Sequence, residues 1–247
     1  MDALFFILIC LGTLSGFIGT LAGGGGLITL PAMMLIGVPI QMGIATNKFA
    51  TAFGALTSVS YLFKSKTLEI KTILLNLFLG IFGGVCGALV TTSISEKTMN
   101  VIAMILLAFA LFVTLRSKKW VSQVEGVSDS ASFKSNIILF FIGLYDGGFG
   151  PGSTTFGIIH FMGRNFNYVK AVQLTRVVIL GSCVGAFIVF YQTGFVEWHY
   201  AIGMAIGSAI GSQLGMAALP HVPLKVAKSL LLTILFLLIG QLVFKMV

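Results

Sequence analysis

A chain of 247 residues with 57% apolar side chains, only 9% charged ones and a mean hydropathy of +1.05 is not a water-soluble domain, because soluble domains carry roughly 25% charged residues. Its charge-poor runs approach or exceed the ~20 residues that one helix needs to cross the hydrocarbon core, and they do not alternate as barrel strands do. The composition therefore defines an all-α polytopic membrane protein, and the net charge of +8 reads as basic cytoplasmic loops rather than as a nucleic-acid surface.

The first run opens at "MDALFFILIC", with no basic region before it and no clear small-residue cleavage site after it, so we read it as a retained membrane segment. It covers residues 3–36 and is interrupted at "GTLAGGGGLITLP", where Gly23, Gly24, Gly25 and Gly26 stand in a row. A helix broken inside hydrocarbon exposes backbone amides and carbonyls. Such backbone is tolerated only where protein or a water-filled cavity surrounds it. Spans at 44–63, 70–93 and 98–115 follow. The only extended polar stretch, 116–135, is a linker by composition. A second broken segment, 136–163, carries "GLYDGGFGPGSTT", and further spans fall at 172–193, 199–219 and 226–246. The expected organisation is a first transmembrane repeat at 1–115, a cytoplasmic linker at 116–135 and a second repeat at 136–247. Each repeat holds one Gly-broken segment and three helices, giving about eight membrane segments in all.

The halves correspond residue by residue. Gly16 aligns with Gly143, Gly23 with Gly150 and Gly25 with Gly152; after a one-residue slip, Lys48 aligns with Arg176, Glu69 with Glu197, Gly83 with Gly211, Gly87 with Gly215 and Lys97 with Lys225. Matched charges carry most weight in so charge-poor a chain. If each broken segment crosses the membrane, the halves are parallel; if each dips in and returns, they are inverted. With both termini outside, the inverted arrangement leaves only Lys97 and Lys245 on the outer side, which the positive-inside rule favours. Against it, residues 3–22 alone are long enough to cross.

Paired broken helices in secondary transporters meet near the midplane, where half-helix N-termini point free N–H groups at anionic substrate groups. By that pattern Gly23–Gly26 and Gly150, Pro151, Gly152, Ser153 and Thr154 are candidate substrate-binding residues, and Thr155 adds a third hydroxyl. Scattered glycines such as Gly80, Gly83, Gly87, Gly207, Gly211 and Gly215 read instead as close helix packing. Lys48 and Arg176 are basic residues inside membrane helices, which needs a reason on insertion scales. They either snorkel from a helix end or flank the broken tips as a positive pocket, with Asn47 and Thr175 as hydrogen-bond donors. Asp146 is the one carboxylate plainly inside an apolar segment. It is a candidate proton-coupling group, or else a structural partner of Lys48, Arg176 or a backbone amide. Glu69 and Glu197 precede helices and complement the N-terminal dipole. His160 lies on the second arm of a broken segment, and His199 and His221 read as loop residues. Cys10, Cys86 and Cys183 are isolated, so neither a disulfide framework nor a metal site is indicated.

At these residues the sequence resembles the sulfite exporter TauE/SafE family over essentially the whole chain. "AGGGGLITLP" with "GIATNKFATAFGALTS", and then "GLYDGGFGPGS", carry the resemblance. Gly23 to Gly26, Thr46, Asn47, Lys48, Tyr145, Asp146, Gly150, Pro151 and Gly152 match the family pattern. The chain departs from it at Ser153-Thr154-Thr155, where a second small glycine turn is usual, and at Thr175-Arg176, where Thr-Lys is expected. Arginine keeps the charge but brings a planar fork in place of a point charge.

The resemblance implies a plasma-membrane carrier that exports sulfite, sulfonates or related organosulfur anions. The expected function is thus alternating-access transport of a small sulfur-containing oxyanion. Expected partners are that anion and the lipid bilayer, with no cofactor and no nucleic acid; homodimerisation is left open. A cation or metal permease and a non-transporting membrane anchor are the alternatives. An enzyme is not expected, since no nucleophile–base pair appears.

Overall fold

The computed structural model describes residues 3–65, 70–116 and 133–223, together with 225, 226, 229, 232, 233 and 236. Lys66, Glu69, the linker at 117–132 with Lys118 and Lys119, Lys228, Lys245 and most of the segment expected at 226–246 lie outside the described residues.

Among the described residues the chain is entirely helical. Its elements are α1 (Ala3–Ala22), α2 (Gly25–Leu35), α3 (Ile40–Ser65), α4 (Ile70–Ser93), α5 (Glu96–Arg116), α6 (Phe133–Gly148), α7 (Ser153–Gly163), α8 (Tyr168–Gln192) and α9 (Trp198–Ala218). The two expected broken segments are α1 with α2 and α6 with α7. Counted so, seven of the eight expected membrane segments fall among the described helices. By length and apolarity α1, α4, α8 and α9 can each cross a bilayer. Helix α8 starts about one turn before the hydropathy boundary because a cap, not apolarity, starts it. For α8 the cap is Asn167, whose side chain accepts from the Lys170 amide at 2.9 Å.

Large apolar side chains such as Phe78, Phe82, Ile105, Phe109 and Phe141 point outward, as they must against lipid. Small residues line the contacts between helices, because lipid supplies no hydrophobic drive and association depends on close approach. A Cβ placed on Gly87 would lie 2.0 Å from the Leu144 carbonyl, and one on Gly211 would lie 2.0 Å from that of Thr13. The scattered glycines are packing glycines.

Those contacts also fix helix direction. Gly12 faces Met204 and Ser208, Gly16 faces Ser208 and Ser212, and Gly211 faces Thr13 and Phe17, so α1 and α9 run parallel. Phe49 meets Trp198 while Gly54 meets Ser208 and Ser212, which adds α3 to the same direction. Likewise Gly83 faces Phe140 and Leu144, Gly87 faces Leu144 and Gly148, and Gly181 and Gly185 face Leu77 and Ile81, so α4, α6 and α8 are mutually parallel. The two sets oppose each other, since Phe49 of α3 meets Phe187 of α8 while Val59 packs with Val177. Helix α2 runs back against α3, Gly26 near Asn47 and Leu30 near Gly43. The α1–α2 and α6–α7 pairs are therefore hairpins that enter the bundle from opposite ends.

The pairing is unchanged when the halves are exchanged: α1 on α9 mirrors α6 on α4, and α3 on α9 mirrors α8 on α4. The sequence register recurs in space, because Gly83 lies against residues 140 and 144, and Gly211 against residues 13 and 17. The most extensive packings all join one half to the other, so the sequence halves interleave rather than forming separate bodies. By their places in the helices, of the described lysines and arginines at the ends of the bundle Lys64, Lys71, Arg116, Lys134, Arg164, Lys170 and Lys225 fall at one end and Lys97 at the other.

Candidate functional site

The hairpin tips meet inside the bundle. Gly23 has φ +81, and a Cβ there would lie 2.6 Å from the Thr155 amide; Gly26 lies against Pro151. Breaking α1 leaves C-terminal carbonyls without intrahelical partners, and the opposite half supplies donors. Thr155 Oγ1 donates to the Ala22 carbonyl at 3.3 Å, and the Tyr168 hydroxyl donates to that of Leu21. At the second tip the Thr91 hydroxyl donates to the Gly148 carbonyl at 2.6 Å and the Tyr145 hydroxyl to that of Pro151 at 2.7 Å. Polar backbone at membrane depth is thus satisfied by protein, as a broken helix requires.

Between the tips lies a cavity of about 30 Å³, room for roughly two waters. Its lining is Gly16, Gly19, Gly23, Gly25, Gly26 and Gly150, the hydroxyls of Ser15, Thr51, Ser153, Thr154, Ser208 and Ser212, and Asn47, Asp146 and Arg176. No aliphatic side chain contributes, in a chain that is 57% apolar. Helices α2 and α7 both begin here. Their N-caps, Gly24 and Gly152, provide no side-chain cap, so first-turn amides and the positive ends of two helix dipoles face the same region.

Lys48 and Arg176 do not snorkel: they are 1% and 3% exposed. Lys48 Nζ lies 3.2 Å from Asp146 Oδ1. Ser153 Oγ donates to the same oxygen at 2.5 Å, Ser182 Oγ donates to Oδ2, and Cys183 Sγ lies 3.5 Å from Oδ2. Gly150, with φ +105, passes so near that a Cβ would sit 2.5 Å from Lys48 Nζ. Asp146 is thus engaged by Lys48, Ser153 and Ser182. Arg176 is held differently. One Nη donates to Thr20 Oγ1 and, at 3.2 Å, to Ser212 Oγ; Nε has no partner, and among the described residues no carboxylate lies within ion-pair distance.

Of the residues singled out in the sequence, Gly23, Gly25, Gly26, Asn47, Asp146, Gly150, Ser153, Thr154 and Arg176 line the cavity. Lys48 stands behind Asp146. Thr46 is buried with its hydroxyl unpartnered, and the Thr175 hydroxyl donates to the Ala171 carbonyl at 2.7 Å while its methyl packs on Gly157. Gly24, Pro151 and Gly152 shape the tips without lining the space. His160 bonds Ser135 at 2.8 Å, which also accepts from Arg164, and does not line the cavity. Sequence reasoning passed over Ser15, Gly16, Gly19, Thr51, Ser208 and Ser212 as site residues. The available signal was small or hydroxyl residues at four-residue spacing on α1 and α9, which packing explains equally well.

A helical membrane bundle in which two broken helices enclose a polar cavity beside a buried cation has the architecture of a membrane transporter. The chain belongs to the sulfite exporter TauE/SafE family, whose model matches residues 8–242. It is 31% identical over 224 residues to a probable membrane transporter protein, ORF9, of Sinorhizobium sp., covering 90% of this chain and 85% of that one. It is 29% identical to a probable membrane transporter protein of Haemophilus influenzae, with 85% and 82% covered, and 26% identical to YunE of Bacillus subtilis, a probable membrane transporter protein, with 98% of both covered. No solved structure matches. The protein is a multi-pass transporter of the cell membrane.

Proposed function

We propose that this transporter is a secondary carrier of a small sulfur-containing oxyanion, sulfite or an organosulfonate, bound between the two hairpin tips. The observation that carries this reading is the wholly polar cavity, bounded by two helix N-termini that no side chain caps and by a buried arginine with no described carboxylate partner. Lys48 and Asp146 cancel, so Arg176 leaves one positive charge to be answered. A cation permease is less well served, since the Asp146 oxygens are already engaged by Lys48, Ser153 and Ser182. The cavity is smaller than the ~300–1,000 Å³ of drug-sized sites, which suits a solute of a few heavy atoms.

The hairpins entering from opposite ends, the exchange-invariant packing and the basic residues gathered at one end support an inverted repeat at 1–115 and 136–247 with that end cytoplasmic. Because the halves interleave, alternating access in this reading moves hairpin tips and their supporting helices, not one half against the other. Asp146 holds the charge balance fixed and carries no coupling proton.

Reconstituted protein should exchange labelled sulfite or methanesulfonate across proteoliposome membranes, and Arg176→Gln should reduce that flux at least tenfold while keeping a monodisperse, folded protein. Undiminished flux in folded Arg176→Gln would refute the site.

A further inference from the structure

The two buried cations have unequal surroundings, and the inequality locates the bound anion; this step rests on the carrier reading above. In the register that pairs Gly23 with Gly150 and Gly25 with Gly152, Asp146 corresponds to Gly19 and Ser153 to Gly26. In the register that pairs Lys48 with Arg176, Ser182 corresponds to Gly54 and Cys183 to Ala55. Around Lys48 stand a carboxylate and the three groups that bond it. Around Arg176 every one of those positions holds glycine or alanine. Gly19 and Gly26, where the counterparts of Asp146 and Ser153 would stand, line the cavity together with Arg176.

We propose that the substrate's charged head occupies, beside Arg176 and against Gly19 and Gly26, the place that the Asp146 carboxylate occupies beside Lys48, and that the site is matched to a singly charged oxyanion. The second half carries its counter-charge covalently; the first half has that carboxylate deleted and takes it up as cargo. Arg176 is 3% exposed, lines the cavity and has an unpartnered Nε. One negative charge brings Lys48, Asp146, Arg176 and ligand to neutrality. A second would stand uncompensated in a low-dielectric interior, where unpaired charge is heavily penalised. Asp146 also lines the cavity, its charge answered by Lys48 at 3.2 Å; the other polar lining, such as Asn47, Thr51, Ser208 and Ser212, is neutral and hydrogen-bonding, which suits the other oxygens of the head without adding charge.

The test measures binding to the purified full chain by calorimetry and thermal shift, with methanesulfonate and acetate as singly charged probes and sulfate as the doubly charged one, at matched ionic strength. Both monoanions should bind at least tenfold more tightly than sulfate. Sulfate binding as tightly as methanesulfonate would overturn the charge matching, yet would leave the carrier reading standing if oxyanion flux persists. Absence of both binding and flux for every oxyanion would remove the carrier reading itself. Gly19→Asp rebuilds the missing carboxylate and should weaken methanesulfonate binding at least tenfold in the protein that folds. Retained binding in folded Gly19→Asp would overturn the placement. A Cβ at residue 19 would lie 2.9 Å from the Gly25 Cα, so Gly26→Ser, which crowds the same place more gently, accompanies it and should weaken binding several-fold. Should Gly19→Asp not fold, unchanged affinity in Gly26→Ser would count against the placement, and the comparison of probes on the parent protein decides the charge matching.

Discussion

Lys48 and Arg176 occupy the same place in their helices, eight residues after Ile40 in α3 and eight after Tyr168 in α8, and both are almost wholly buried. One is answered by a carboxylate of the opposite hairpin; the other meets two hydroxyls and a polar cavity. The difference teaches that burial of a charge does not by itself mark a binding site. A buried cation with a built-in partner is a structural element. One with no carboxylate at ion-pair distance among the described residues, and with a polar cavity beside it, is what the proposed carrier reading takes as the anion's partner.

The sharpest way to break this comparison is to remove each cation in turn. Lys48→Met leaves Asp146 buried and unpaired, a loss of about 3–5 kcal/mol, read as a marked fall in melting temperature in detergent. Replacing both partners, as in Lys48→Met with Asp146→Leu, should recover most of that loss, because apolar pairs often substitute for buried ion pairs at little cost. Arg176→Gln strands no carboxylate and keeps hydrogen-bonding atoms. Its stability should stay within about 1 kcal/mol, in the range of a single net hydrogen bond, while anion flux falls. If Arg176→Gln were as unstable as Lys48→Met, the distinction between the two cations would vanish.

Much of this was legible in one dimension. Hydropathy located the helices because lipid demands long apolar runs, and the boundaries of α4 matched its expected span, Ile70–Ser93. The glycine runs announced the breaks because no other residue both takes φ +81 at Gly23 and lets Thr155 come so close. Lys48, Asp146 and Arg176 stood out because charge is rare in this sequence. What the sequence left open was partnership, offering Asp146 to Lys48, Arg176 or a backbone amide alike. Nothing in "ATNKFATAF" says that Lys48 reaches Asp146 and turns away from the cavity, since that depends on how α3 packs against α6 and α8. Ser208 and Ser212 were invisible for the same reason. On α9 they look like interface residues, and only the parallel contact of α1 with α9 carries them into the lining. Direction, too, came from paired contacts such as Gly12–Met204 and Gly211–Thr13, which sequence pattern alone does not contain.

A smaller effect sharpens the contrast through one chemical change made on both sides. Ser182→Ala removes a donor from Asp146 Oδ2, and hydrogen bonds to charged groups contribute about 1.5–3 kcal/mol. That loss should register as lowered thermal stability, with anion affinity little altered because Ser182 does not line the cavity. Ser212→Ala removes an acceptor 3.2 Å from the Arg176 guanidinium. Thr20 still holds the same nitrogen, so stability should change by only about 0.5 kcal/mol, the low end of the usual worth of one hydrogen bond. Affinity should change more, because Ser212 and the Arg176 it contacts both line the cavity of the proposed site. A calorimetric series on the two variants would read both quantities at once. Equal losses of stability would mean that Arg176 is held as a structural element after all, and that its resemblance to Lys48 goes deeper than its missing carboxylate.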